Sequence, residues 1–454
     1  MGVSTTVALR NEVGANLKLA LPIMVTQFTF MGMATADTML AGRHSADALA
    51  AVAVGANIWF LLLIMFMGTL MACAPIIAQR VGAGRDADDT GVFVRGALLI
   101  AAALGVAWML LMRIVPGPVL AWLELGEPAQ QYAYDYLMAA SWSGVPLCLC
   151  FVARNAAEAH GLTQVALVCG VIGLITNVLV AYGLLFGHWG LPELGPEGCG
   201  WGSTAAALAM LLAYAAQFAR LPALRALRIF RRGWPVWQTE LREVLRLGLP
   251  IAMILAAESW LFNVCALLMA RFGAGTVAAH QVAINFAGLC FMVPLSIGFA
   301  TTVRVGYAAG ARDFSAVRLR GQTGMLMGMV FSLVSASVMA FFPAWVVGLY
   351  TDDVQVQRIA VQFLLFAALF QLFDGIQATA NGALRGVKDT KMPMLITVTA
   401  YWLVGLPLAV GLAFTTTLAA RGIWVGFVVA LALAALGLGL RFRRVGQKFS
   451  RVPR

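Results

Sequence analysis

Three carboxylates stand inside long, mostly apolar stretches of the sequence. Asp37 lies in TATADTMLAG, Glu258 in AAESWLF and Asp374 in FQLFDGIQATANGALRG. None has a basic residue three or four positions away, so no pair along one helix face neutralises it. An ionised side chain in such surroundings costs several kcal/mol, so it either faces a cavity and handles ions or substrate, or is a hydrogen-bonded packing residue or one at the interface. A carboxylic acid held there keeps its proton until a cation arrives, and it can exchange a proton or a sodium ion against another cationic ligand. Asn177, in LITNVLVAYG, adds an amide oxygen that can join Asp37 as a ligand; read alone, it is interhelical hydrogen bonding.

Other chemistry finds little footing. His280 and Gln281 occur in VAAHQVAINF with no second His or Cys at ligand spacing, so His280 reads as structural and no metal site is expected. The seven cysteines lie mostly in apolar runs, and Cys148 and Cys150 are too close for a zinc pair. GAGRD and GCGWG follow no strand and end in no GK[ST], which excludes a phosphate cradle and leaves tight turns and close helix packing. Neither G-x-S-x-G nor HExxH is present. The reading is therefore no enzyme and no cofactor, with a proton or sodium as coupling ion and sodium possible at Glu258 and Asp374.

The elements that must position these acids are membrane helices. Of 454 residues, 61% are hydrophobic and 11% charged, against about 25% charged in a soluble domain. Runs such as 97–112 and 422–440 are uniformly apolar and approach the roughly 20 residues that span a bilayer. Polar punctuation divides the chain into twelve spans near 17–42, 48–79, 92–112, 130–153, 162–187, 200–221, 245–270, 276–306, 322–349, 356–383, 392–415 and 421–440. Alternate loops separate the basic residues 26 to five: Arg80, Arg154, Arg225, Arg304 and Arg385 fall on one side, and only Arg43, Arg113, Arg271, Arg358 and Arg421 on the other. Cytoplasmic loops retain Lys and Arg, so both termini and the central loop are expected in the cytoplasm. The net charge of +11 therefore faces membrane lipids and not nucleic acid. No cleaved signal peptide is expected, because the first sixteen residues lack an apolar core.

The halves resemble each other. LALPI at 19–23 returns as LGLPI at 247–251, AGRD at 83–86 as GARD at 310–313, Asn155 as Asn381, and GCGWG at 198–202 as GIWVG at 422–426. Six helices per unit is an even number, so the halves run in the same direction, related by an axis along the membrane normal. This predicts an N-terminal lobe over 1–221, a cytoplasmic linker over 222–244 anchored by Trp234, Pro235 and Trp237, and a C-terminal lobe over 245–454 with a basic tail.

At these residues the sequence resembles the multidrug and toxic compound extrusion family, in its bacterial NorM-type branch. The resemblance rests on ADTMLAG, PELGPEGCGWGSTAA, GLPIAMILAAES, AAHQVAINF, FDGIQATANGALRGVKDTKMP and YWLVGLPLA. It implies an all-α pair of six-helix bundles forming a V in the inner membrane, a monomer, that exports cationic or amphipathic small molecules by alternating access against inward protons or sodium. It further implies a first-lobe cation site at Asp37 with Asn177, and a second at Glu258 and Asp374. Phe370 stands where some similar proteins have a tyrosine that helps hold sodium, and Ala181 where some carry a second aspartate. A lipid-linked precursor flippase of the same superfamily is the alternative, and would call for a cationic central groove. A membrane-embedded enzyme would call for a convergent catalytic set.

Overall fold

The computed structural model describes residues 2–123, 126–230 and 238–449, and every regular element among them is helical. Eleven elements are long and apolar enough to cross a bilayer, and one bent pair makes a twelfth. In chain order they are α1 (Val7–His44), α2 (Ala46–Gly82), α3 (Ala87–Trp122), α4 (Ala129–Ser141 with Gly144–Ala159), α5 (Thr163–Phe186), α6 (Glu197–Arg220), α7 (Gln238–Phe272), α8 (Ala274–Gly310), α9 (Phe314–Phe341), α10 (Val354–Gly386), α11 (Lys391–Thr415) and α12 (Ala420–Gln447). The linker residues Arg231, Arg232, Trp234, Pro235 and Trp237, and Arg451 and Arg454 of the tail, lie outside the described residues.

These sequences are helical because lipid offers the backbone no hydrogen bonds, so each segment must satisfy its own N–H and C=O groups. The surface they leave is apolar. In α5 the most apolar stretch has a mean hydropathy of 2.3, yet only 39% of it is buried within the protein. Ile175 and Leu179 are half exposed, as is Leu403 of α11 to a greater degree, and such a surface needs lipid around it. The chain is a multi-span membrane protein.

Breaks within spans follow from proline. The two pieces of α4 meet at 50°, four residues ahead of Pro146, whose ring displaces the carbonyl of Trp142 and which donates no N–H. In α11 the α-helical ladder gives way to a π-helix over Thr399–Gly405, just before Pro407.

The chain separates into two compact units, one of Pro22–Ala252 and one of Met1–Leu21 with Met253–Arg454. The divisions fall beside Pro22 and Pro250, the prolines of the repeated LALPI and LGLPI segments. The core of the first unit gathers Leu63, Trp108, Tyr136, Leu137 and Leu185. A buried ion pair lies in the same unit, with Arg154 Nε donating to Glu158 Oε1 at 2.6 Å and Arg154 Nη2 to Gln27 Oε1 at 3.0 Å. In the second unit the main core is aromatic, with Phe363, Tyr401, Trp424 and Phe427. There the start of α1 is tied down by Glu12, which accepts from Arg304 and lies 3.7 Å from Arg320, and by Asn16 Nδ2 donating to Thr301 Oγ1 at 3.1 Å.

The AGRD and GARD repeats end helices in the same manner. After α2 the N–H of Arg85 reaches back to the Arg80 carbonyl over Gly84 at φ +67°; after α8 the N–H of Asp313 reaches the Ala308 carbonyl over Arg312 at φ +57°. Each is the left-handed cap that satisfies carbonyls at a helix end. Asp313 then opens α9: its Oδ1 accepts from the Ala316 N–H at 3.0 Å and from Ser315 Oγ at 2.7 Å. The Ala316 N–H foremost, and the Ser315 hydroxyl, hold its carboxyl below the ordinary aspartate value.

Two predictions test this packing. Gly248 of LGLPI carries no Cβ because one would collide with the Thr69 carbonyl oxygen. Gly248→Ala is expected to lower stability by about 1–3 kcal/mol, read by thermal unfolding of the purified protein in detergent. Asp313→Ala is expected to cost about 0.5–2 kcal/mol. Because the folded carboxyl titrates below its unfolded value of about 3.9, that contribution is full above the unfolded value and fades as pH falls through the folded one. Unfolding measured from pH 7 downward should show wild type and Asp313→Ala converging only in strong acid.

Candidate cation and substrate sites

In the unit of residues 22–252, three helices, α4, α5 and α6, bring side chains to Asp37 of α1. Gly200 and Gly202 of α6 let that helix close on its neighbours: a Cβ at Gly200 would strike the Tyr136 carbonyl of α4, and one at Gly202 would lie 2.9 Å from Ala181 Cβ and 3.1 Å from the Asn177 carbonyl of α5. The glycines of GCGWG thus serve close packing, and they bring the next residue, Ser203, onto the acid. Its Oγ lies 3.4 Å from Asp37 Oδ2. Asn177 and Tyr136 also face Asp37, and Cys199 Sγ sits 3.9 Å from the Asp37 carbonyl.

This site is buried and incompletely bonded. Asp37 is 4% exposed and Asn177 fully buried. Asp37 Oδ1 and both amide atoms of Asn177 make no well-formed hydrogen bond among the described residues, although the Asn177 amide lies near enough to the Asp37 carboxyl to interact with it. Leaving such atoms unpaired costs about 1–3 kcal/mol each, and a native protein accepts that where a ligand or water completes the set. Asp37 forms no ion pair within the described residues, so only neutral dipoles, those of Ser203 and Asn177, act on its charge when ionised.

The second unit holds a wider arrangement. Asp374 of α10 is buried, and Glu258 of α7 remains partly accessible. The two carboxyls interact with each other, with Gln377 of α10 beside Glu258 and Tyr401 of α11 beside both, while Arg385, whose Nε donates to the Asn381 carbonyl at 3.3 Å, acts on Glu258 only at Coulombic range. Gln371 and Gln377 stand three residues either side of Asp374, on the same helical face. Asp374 Oδ1, Gln377 Oε1, both amide atoms of Gln371 and the Tyr401 hydroxyl make no well-formed hydrogen bond among the described residues, although Gln377 lies near both Glu258 and Tyr401. The oxygens among them are of the type hard cations accept.

The π-helix of α11 explains how Tyr401 comes to face the acids. Wider winding at Thr399–Gly405 places Tyr401 inside and lets Trp402 Nε1 donate to the Ala257 carbonyl at 3.1 Å, one residue before Glu258. The indole holds α11 and the acid-bearing turn of α7 in register. Phe370, which has no hydroxyl, lies in an aromatic cluster 6.5 Å from Phe262 and 6.0 Å from Trp424.

Asp37 and Asn177 thus come together in one site, and Glu258 and Asp374 in another. Sequence reading missed Tyr136, Ser203, Gln371, Gln377, Tyr401 and Arg385. Ser203 and Tyr401 lie within segments already marked, and the two glutamines are signalled by their spacing from Asp374. Arg385 was grouped with the basic loops, whereas its side chain is 7% exposed, within Coulombic range of Glu258 and 5.6 Å from the Phe299 ring. His280 packs 5.4 Å from Trp424 and 6.4 Å from Phe427, a core histidine as expected. Among the described residues no three His, Cys, Asp or Glu side chains gather at metal-binding distance.

Comparison with known proteins gives this arrangement a lineage. The chain matches the MatE family twice, over residues 22–183 and 250–410, and the matches begin at Pro22 and Pro250, the prolines of the repeat. It is 36% identical to the multidrug resistance protein PmpM of Pseudomonas aeruginosa over 99% of this chain and 95% of that one. It is 34% identical to a probable multidrug resistance protein NorM of Bacillus cereus, covering 95% of each. The fold superposes on the crystal structure of the Vibrio cholerae MATE transporter VcmN with a TM-score of 0.86, at 16% identity over 98% of this chain and 99% of that one. A family match to both repeats, relatives above 30% identity over nearly the whole length and the shared fold agree that this chain belongs to the MatE family.

Proposed function

We propose that the protein exports cationic or amphipathic compounds across a bacterial inner membrane, as a monomer with both termini in the cytoplasm, in exchange for inward flow of protons or sodium ions. Its two repeats, residues 1–221 and 245–454 joined by the linker 222–244, would expose their sites alternately to the two sides. The observation that carries this reading is charge imbalance in both sites. The first has one carboxylate, Asp37, without a basic partner; the second has two carboxylates, Glu258 and Asp374, against one guanidinium, Arg385. Each has place for one positive charge. The names of PmpM and NorM as multidrug resistance proteins support the substrate class.

The exchange follows from that imbalance. A proton, a sodium ion or a cationic drug can each supply the missing charge, and two of them crowd one another. Binding of one therefore lowers affinity for the other, and by linkage the effect is equal in both directions. Asn177, Ser203 and Tyr136 in one site, and Gln371, Gln377 and Tyr401 in the other, supply neutral oxygens that hold a bare ion or the water replacing it. Phe262, one turn along α7 from Glu258 and only partly buried, is apolar and offers contact area to varied drug skeletons.

Reconstituted vesicles with an imposed proton or sodium gradient give the test. Export of a fluorescent cation is expected to fall by about 5–150-fold, the range of a 1–3 kcal/mol coupling, in Asp37→Asn, Glu258→Gln and Asp374→Asn. Coupled export undiminished in all three contradicts the proposal, and the gradient that drives wild type identifies the ion. Tyr401→Phe and Ser203→Ala remove one neutral oxygen each. Titration of transport rate against the driving ion should then show apparent ion affinity reduced by about fivefold, equivalent to ~1 kcal/mol, with maximal rate retained.

A further inference from the structure

Outside both sites, the stretch after α6 forms a cavity of about 540 Å³ lined by Phe218, Ala219, Arg225, Arg228, Ile229 and Phe230. That volume is within the roughly 300–1,000 Å³ of small-ligand pockets. We propose that this cavity binds the headgroup of an anionic phospholipid of the cytoplasmic leaflet. The inference does not rest on the transport reading, only on the orientation read from the loop charges.

The frame of the cavity is fixed. Leu221 leaves α6, Pro222–Arg225 makes a single helical turn, and Leu224 and Leu227 are fully buried beneath it. Gly91 of α3 packs so closely on the Leu227 carbonyl that no Cβ fits between them. Arg95 Nη1 donates to the Arg228 carbonyl at 2.9 Å, and Arg228 itself adopts the left-handed conformation at φ +48°. A β-carbon in that region is sterically costly, and the hydrogen bond from Arg95 helps hold it there.

The lining combines two chemistries. Arg225 and Arg228, three residues apart, are both exposed, and neither guanidinium has an acid or hydrogen-bond acceptor among the described residues. Two unpaired forks facing one space match a phosphate, which guanidinium binds in bidentate fashion. Beside them Phe218 is buried, Ile229 half-buried and Phe230 64% exposed. A free phosphate would leave that apolar wall against water, whereas the glycerol and first methylenes of a lipid cover it. A zwitterionic headgroup would bring its own ammonium against two arginines, so the cavity selects a lipid with net negative charge. Basic residues close to a membrane helix on the cytoplasmic side favour the same lipids through the surface potential.

The test uses the purified full-length protein and native mass spectrometry after incubation with phosphatidylglycerol, phosphatidylcholine or inorganic phosphate. Wild type is expected to retain at least one phosphatidylglycerol in preference to phosphatidylcholine, and inorganic phosphate should not displace it. Arg225→Ala with Arg228→Ala should reduce that retention about tenfold, whereas Arg443→Ala with Arg444→Ala, which removes the same charge from the exposed end of α12, should leave it unchanged. Equal retention in the Arg225/Arg228 variant overturns the proposal. So does an equal loss in the Arg443/Arg444 variant, which would mean diffuse charge, or displacement by inorganic phosphate, which would mean a simple anion site. Thermal unfolding of each variant confirms that a lost lipid does not reflect a lost fold.

Discussion

A carboxylate taken out of water must be neutralised, and in this protein that requirement governs both candidate sites. Most of the chain is spent meeting the opposite demand, an apolar exterior with every backbone group bonded within its own helix. Against that background Asp37, Glu258 and Asp374 are expensive, and they are not compensated in full. Arg154 and Glu158 show what compensation looks like here: a short, buried pair with a further acceptor in Gln27. The same protein therefore contains a satisfied buried charge and unsatisfied ones. The proposed cation exchange rests on that difference.

The helical irregularities serve these places. α11 winds as a π-helix just before Pro407, and in that stretch Tyr401 lies near the acids and Trp402 bonds the backbone beside Glu258. The glycines of α6 do the equivalent for Asp37, since without them Ser203 would stand off by the thickness of a side chain. Each site is thus held by a departure from uniform helix packing. Its donors are set before any ligand arrives, which reduces the ordering cost of binding.

Much of this was legible in the sequence because it depends on local composition. Spans are read from apolar length, the duplication from LALPI and LGLPI, and the acids from their isolation in apolar runs. The bend in α4 and the π-helix of α11 were not read, although Pro146 and Pro407 were in view, because a proline states that the ladder breaks and not how the helix recovers. Arg385 was misjudged for another reason. Sequence places it at the end of a span, where a basic residue usually reaches the loop, and only the packing of α10 against α8, with the Arg385 guanidinium 5.6 Å from the Phe299 ring, buries it. Gln371, Gln377 and Tyr136 are ordinary residues until their neighbours are known, and unpaired amide atoms are visible only in three dimensions.

If each site has place for one positive charge, then a drug cation must expel the ion that occupied it. The most direct measurement is the cation released when a saturating cationic drug is added to the purified protein in detergent, followed with a pH indicator or radioactive sodium. The account predicts stoichiometric release of protons or sodium, about one per drug bound, and its loss when the acid of the occupied site is made neutral. Drug binding that releases no cation and is indifferent to both pH and sodium would contradict it.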